Sequence, residues 1–163
     1  MMKISLDTEI AVTVEEHGKE KETLTVYYRE YTKAEKRELE ALWKQFQALV
    51  KKTGKLEKKR ASLEKKADLS ERMGDLEKAM RFVEQIEKID AQIEKVAEEI
   101  EALGGDDFAE TTAKKSFDLL VSGPDADRLR AYAEIKGYGP IMASLNAAKG
   151  DAEKKRSGES PNA

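Results

Sequence analysis

His17, the only histidine in 163 residues, is where acid–base or metal chemistry would have to begin. Its neighbours Glu15, Glu16 and Lys19 form no metal-spaced cluster and supply no nucleophile for a triad, so it reads as a solvated turn residue. The chain has no cysteine, which excludes disulfides and thiolate metal sites. Asp68, Glu71 and Asp75 could place carboxylates around a cation, but their positions suit helix boundaries better. Gly137-Tyr138-Gly139-Pro140 follows a helical pattern rather than a strand and lacks the Lys and Ser/Thr of a phosphate loop. The sequence therefore predicts no catalytic residue, no metal site and no cofactor. The remaining chemistry is charge. Residues 51–66 carry Lys51, Lys52, Lys55, Lys58, Lys59, Arg60, Lys65 and Lys66, whereas residues 84–101 are mostly acidic.

The elements that hold these charges follow from hydrophobic spacing. Leu39, Leu42, Phe46, Leu49, Thr53, Leu56, Arg60, Leu63 and Ala67 alternate steps of three and four. A second ladder reads Leu76, Met80, Val83, Ile86, Ile89, Ile93, Val96, Ile100 and Leu103. Reversed, it pairs Leu42 with Ile100, Phe46 with Val96, Leu49 with Ile93 and Leu56 with Ile86. This predicts an antiparallel coiled-coil hairpin that turns near residues 68–74. Thr32 and Glu35 form a capping box for the first helix, and Asp75 is the N-cap of the second. The second helix stops at Gly104-Gly105. The step of three from Val83 to Ile86, after another from Met80 to Val83, predicts a local stammer. Gly54 is the weak point of the first helix, which is expected to stay continuous through it to about Ala67.

Before the hairpin, Ile4, Leu6, Ile10, Val12 and Val14 alternate with polar residues, and Leu24, Val26 and Tyr28 continue on even positions. This is a β-hairpin around His17-Gly18. Even must pair with even if the apolar residues are to share a face, which predicts an odd loop of three or five residues rather than a two-residue turn. After Gly105, helices are expected over Asp106 to Leu120, from Asp125 through Lys136, and from Pro140 through Leu145. Residues from Ala148 onward lack large apolar side chains and read as disordered.

The expected fold is thus mainly α with a small β part. A β-hairpin spans 1–31, the coiled-coil hairpin 32–104, the C-terminal helices 105–147 and a disordered tail 148–163. Charged residues are 39% of the chain and the net charge is −3, which suits a thin core and gives no global pull toward nucleic acid or anionic membrane. No stretch reaches the roughly 18 apolar residues of a membrane span. A cytoplasmic location is expected.

Thr23-Leu24-Thr25-Val26-Tyr27-Tyr28-Arg29-Glu30-Tyr31-Thr32-Lys33-Ala34-Glu35 runs from a strand ending in Tyr/Arg into a capped, charged helix. Residues 3–45 resemble the N-terminal part of small phage tail assembly chaperones and related phage accessory proteins. The resemblance implies a non-enzymatic protein that binds an elongated phage structural protein during assembly. The expected docking surfaces are the strand edges of 3–14 and 23–31 and the stripe containing Leu39, Trp43 and Val50, with Tyr28 and Phe117 as further partner-binding candidates. A homo-oligomer is also expected. The alternative is a nucleic-acid-associated coiled coil that uses the basic arm 51–66. Partners are expected at the base of the hairpin before its tip.

Overall fold

A computed structural model describes residues 7–156; Ile4, Leu6 and residues 157–163 lie outside the described residues. The order is β1 (Asp7–Glu16), β2 (Lys19–Arg29), α1 (Lys33–Arg72), α2 (Leu76–Ala102), a 3-10 turn (Gly105–Asp107), α3 (Phe108–Leu120), β3 (Val121–Ser122), α4 (Ala126–Lys136) and α5 (Tyr138–Arg156). The fold is mainly α with a small antiparallel sheet, as the hydrophobic spacing predicts. The chain divides into two units. One is continuous, Glu35–Asp106, and is the helical hairpin. The other joins the chain up to Ala34 with the chain from Asp107 onward. The β-hairpin therefore shares a unit with the C-terminal helices instead of forming a domain alone.

In this second unit the sheet has the order β1-β2-β3. Ile10 pairs with Val26 and Val12 with Leu24, so the even positions do share a face. The parity conflict is resolved differently from the sequence expectation. The turn is a two-residue His17-Gly18 turn, with φ of 53° and 77°, the signature of type I′. Val14 pairs with Glu22 but Glu15 with Glu20, which leaves Lys21 as the extra residue of a bulge. The odd residue is absorbed in the strand, not in the loop. Ile10, Leu24, Val26 and Tyr28 then pack against Phe117, Leu120, Leu129, Tyr138, Met142 and Leu145. A two-stranded ribbon gains its stability from such a helical backing.

Polar contacts tie the helices to the sheet. Asp125 stands at the N-cap position of α4 but makes no side-chain cap there. Its carboxylate instead accepts from the Thr25 backbone N–H at 2.7 Å, fixing α4 to β2. The Glu110 carboxylate accepts from the backbone N–H groups of Tyr138 and Gly139, satisfying free donors at the start of α5. Tyr28 donates to Asn146, and the hydroxyls of Tyr31 and Ser116 share a hydrogen bond. At Gly123, φ is 108° and an added Cβ would stand 2.9 Å from the Tyr27 ring, so only glycine fits the turn before α4.

The expected disorder from Ala148 is corrected for residues 148–156, which continue α5. Ala148 packs against the core, and Lys149 lies over the Tyr28 ring with its Nζ 3.3 Å from Glu30. The Lys149 side chain is only 12% exposed. A long alkyl stem can bury like an apolar residue while its charge reaches a partner, a behaviour composition does not reveal.

In the hairpin unit, α1 passes through Gly54 without interruption and reaches Arg72, beyond the expected end at Ala67. It begins directly after Thr32. Asp75 caps α2 by accepting from the Lys78 N–H at 3.1 Å. The α1 seam is as predicted: Leu39, Leu42, Phe46, Leu49, Thr53, Leu56 and Arg60 are half-buried, and Leu63, Ala67 and Ser70 are buried. The α2 seam differs in its first third. Leu76, Met80 and Val83 are exposed, and Ala79 and Phe82 take their places before Ile86, Ile89, Ile93, Val96, Ile100 and Leu103. The steps now alternate three and four throughout, so the stammer disappears.

Counted outward from the turn, the two observed ladders fall into step. Ser70 meets Ala79, Ala67 meets Phe82, Leu63 meets Ile86, Arg60 meets Ile89, Leu56 meets Ile93, Thr53 meets Val96, Leu49 meets Ile100 and Phe46 meets Leu103. This is one heptad displaced from the sequence expectation, which paired Phe46 with Val96 and Leu49 with Ile93. The Arg60–Asp90 ion pair at 2.5 Å spans the helices and agrees with the displaced register. The turn sets it: Met73-Gly74 closes the hairpin, with the Asp75 N–H donating to the Ser70 carbonyl at 2.9 Å.

Candidate functional site

A helix pair that buries a narrow seam exposes its flanking positions on two opposite faces. Heptad counting from the observed seam puts Lys52, Lys55, Lys59 and Lys66 of α1 on one face. Lys78, Arg81, Lys88 and Lys95 of α2 fall on the same face. The other face takes Glu57, Glu64, Asp68 and Glu71 of α1 with Glu87, Asp90, Glu94 and Glu101 of α2. All sixteen residues are exposed. Arg60 confirms the assignment: from its seam position it binds both Glu64 and Asp90, one from each helix, on the acidic side. The sequence suggested a basic arm against an acidic arm. The heptad phase sorts the charges by face instead, with Glu99 the one acidic residue on the basic side of the paired region, and α2 contributes half of the basic set.

Apolar side chains continue both faces toward the turn. Leu76 is 62% exposed, Met80 67% and Val83 46%, and they lead the acidic face along α2. Leu69 at 59% and Met73 at 76% lead the basic face along α1. Five large apolar residues are thus exposed close to one turn, three on one face and two on the other, and exposed apolar surface of this kind marks interaction sites. Two are methionines, whose flexible thioether chains adapt to varied partners.

The sequence-named docking residues divide between core and surface. Tyr28 is 4% exposed and Phe117 fully buried, so neither can meet a partner; they belong to the core. Their even-face and helical spacing is a core signature, and Phe117 stacks edge-on against Tyr138 at 5.4 Å. Leu39 is half-buried, on the stretch of α1 that runs past the end of α2. Trp43 at 38% and Val50 at 49% remain accessible, one heptad apart on the edge that carries Glu57 and Glu64. Of the two expected strand edges, β2 is central and its far side pairs with β3 at Tyr27 and Tyr28. The outer edge of β1 has no ladder partner among the described residues. It carries Asp7, Glu9, Glu15 and Glu16, charges that discourage strand addition.

The compact unit contains a cleft of about 470 Å³ between the end of β1 and helices α4 and α5. Val12, Val14, Leu129, Ile141 and Leu145 form its apolar wall, and Ile135 stands 87% exposed at its rim. Two ion pairs stand near the cleft. Lys21 pairs with Glu16 at 3.1 Å and crosses the Tyr132 ring. Arg128 holds both oxygens of Glu22 at 2.6 and 2.7 Å, and Tyr132 donates to the same carboxylate. The Arg128 guanidinium, with the Tyr132 hydroxyl, holds the Glu22 carboxyl below its usual range.

Among the described residues no group of three or more His, Cys, Asp or Glu side chains is arranged to hold a metal ion. His17 is exposed in its turn. No helix among them is long and apolar enough to cross a membrane. Asp68 and Glu71 lie beside the turn, and Asp75 is spent as a helix cap. No family model, no curated protein and no solved structure matches the chain.

Proposed function

We propose that this is a non-enzymatic assembly or adaptor protein whose helical hairpin docks another protein. The observation that carries the reading is the exposed apolar row Leu76, Met80 and Val83 on one face beside the turn, with Leu69 and Met73 exposed on the other. An apolar face at a hairpin end gains by burial against a partner helix, at roughly 25 cal/mol per Å² removed from water. The accessible Trp43 and Val50 give a second, smaller contact at the other end of α1. The resemblance of residues 3–45 to phage tail assembly chaperones supports an assembly role, with an elongated phage structural protein as the partner it implies.

Photo-crosslinking from position 80 in the source cells tests this directly. A specific protein adduct is expected there, and a weak one from the exposed position 98 on the outer side of α2. With the probe kept at position 80, Leu76→Asp/Val83→Asp should remove the adduct while leaving the helical circular dichroism unchanged. An adduct that survives this double substitution sinks the reading.

The second reading rests on the basic face. Lys52, Lys59, Lys66, Lys88 and Lys95 could contact phosphates, in which case retention on heparin should fall steeply with salt. No aromatic side chain interleaves with these lysines to stack on bases.

A further inference from the structure

We infer that the hairpin docks onto a second copy of itself, the basic face of one copy against the acidic face of the next. The inference rests on the hairpin being a protein-docking element and names the partner. Three observations point to a second copy. The faces are complementary in sign and both are built from the two helices. They are also complementary in period. Lys52, Lys59 and Lys66 recur every heptad on one edge of α1, and Glu57, Glu64 and Glu71 recur every heptad on the other. Both rows therefore step by about 10.5 Å, so a single alignment places every charge in one row near a charge in the other.

The third observation concerns the apolar ends. On the basic face the row Lys59, Lys66 runs into Met73, with Leu69 beside it. On the acidic face the row Asp90 runs into Val83 and Leu76, with Met80 beside it. When two hairpins lie side by side with their turns level, charge meets opposite charge and the apolar ends meet each other. A hairpin reversed end for end would satisfy the charges but set each apolar end against charged residues. The tips-level arrangement is therefore selected. A polyanion would match only the basic rows and would leave the apolar end uncovered.

Such a contact uses different surfaces on the two copies. It leaves one acidic and one basic face free at the ends of any stack, so growth continues until a ring closes. The charged part of the contact is exposed and therefore sensitive to salt, since screening shortens from about 10 Å at 0.1 M to about 3 Å at 1 M.

Sedimentation of the full chain at about 50 mM and 1 M salt is the first measurement. Self-association in the micromolar range is expected at low salt, roughly tenfold or more weaker at 1 M. Two charge-reversed proteins follow, Lys59→Glu/Lys66→Glu/Lys88→Glu and Glu57→Lys/Glu87→Lys/Glu94→Lys. All six positions avoid the Arg60 ion pairs. Each alone should be monomeric, because the altered face then carries five charges of its original sign and three of the other, which sets like charges against each other across the contact. Their equimolar mixture should associate again, which misfolded variants would not do.

A wild-type chain that stays monomeric at about 100 μM and low salt overturns the inference. So does association indifferent to both reversals, or a mixture that stays monomeric. A monomer that binds duplex DNA or heparin through the basic face overturns it in favour of a polyanion. A monomer that still gives a crosslink from position 80 to a different protein overturns self-docking and leaves the adaptor reading standing. If that adduct is missing as well, both fail.

Discussion

At the level of single residues, the tyrosines of the compact unit set its response to base. Burial, reinforced by Glu134, pushes the Tyr138 hydroxyl above its ordinary value of 10.0; burial does the same to Tyr28. Tyr132 is raised chiefly by its hydrogen bond to Glu22. A group whose folded pKa lies above its unfolded one contributes stability that is complete below pH 10 and is lost as pH climbs through the folded value. The compact unit should therefore lose stability above pH 10, and tyrosinate absorbance should rise together with unfolding. Tyr132→Phe should reduce that loss. A pH-independent melting curve from 9 to 12 would contradict the assignment. Glu22 has the opposite sign, because its folded pKa is depressed by Arg128. Its contribution is present above the ordinary carboxylate range and fades as pH falls through the folded value. These roles were not legible in the sequence, since residues 22, 128 and 132 meet only after β2 and α4 have packed.

The elements were legible to the extent that one period governed them. Every α1 seam position from Leu39 to Ala67 could be read from spacing, because a long helix against one partner leaves little choice. The start of α2 was misread for a physical reason. Leu76, Met80 and Val83 are better core residues by type than Ala79, yet phase decides burial, and the strict alternation of three and four selects Ala79 and Phe82. The anomalous run of three threes, from Met80 to Ile89, was the available clue. Register followed the same error, because the turn closes at Met73-Gly74 and moves every pairing by one heptad. In the sheet, parity was right and its remedy was not: a bulge at Lys21 competes with a longer loop, and strand twist favours the tight His17-Gly18 turn. Gly54 tests the continuity of α1. It lies within the helix, and an added Cβ would find nothing within 4 Å. Gly54→Ala should stabilise α1 by about 1 kcal/mol and raise the helical melting midpoint by a few degrees. A loss of stability would mean that the glycine serves a bend.

For the whole molecule, the division of the chain matters most. The hairpin unit is inserted between two segments that together build the other core. Its two ends are not level: α2 ends at Ala102, opposite Gln47 in the observed register, so α1 runs on about 18 Å past the paired region before it reaches Glu35. Replacing residues 36–105 by a flexible Gly/Ser linker of about twelve residues, enough for that offset, should leave the compact unit folded. The near-ultraviolet signal of its buried tyrosines should persist, while the docking assigned to the hairpin is lost. Loss of that signal would show that the hairpin is needed for folding. The unbroken heptad ladder has one more consequence. It turns the hairpin into a ruler graduated in units of about 10.5 Å. Removing residues 57–63 together with 86–92 takes one graduation from both arms, deletes Arg60 with its Asp90 partner, and keeps every remaining seam residue in phase. The same tip would then sit one graduation nearer its base. A partner that recognises only the tip would not notice, whereas one that spans tip and base would lose its fit.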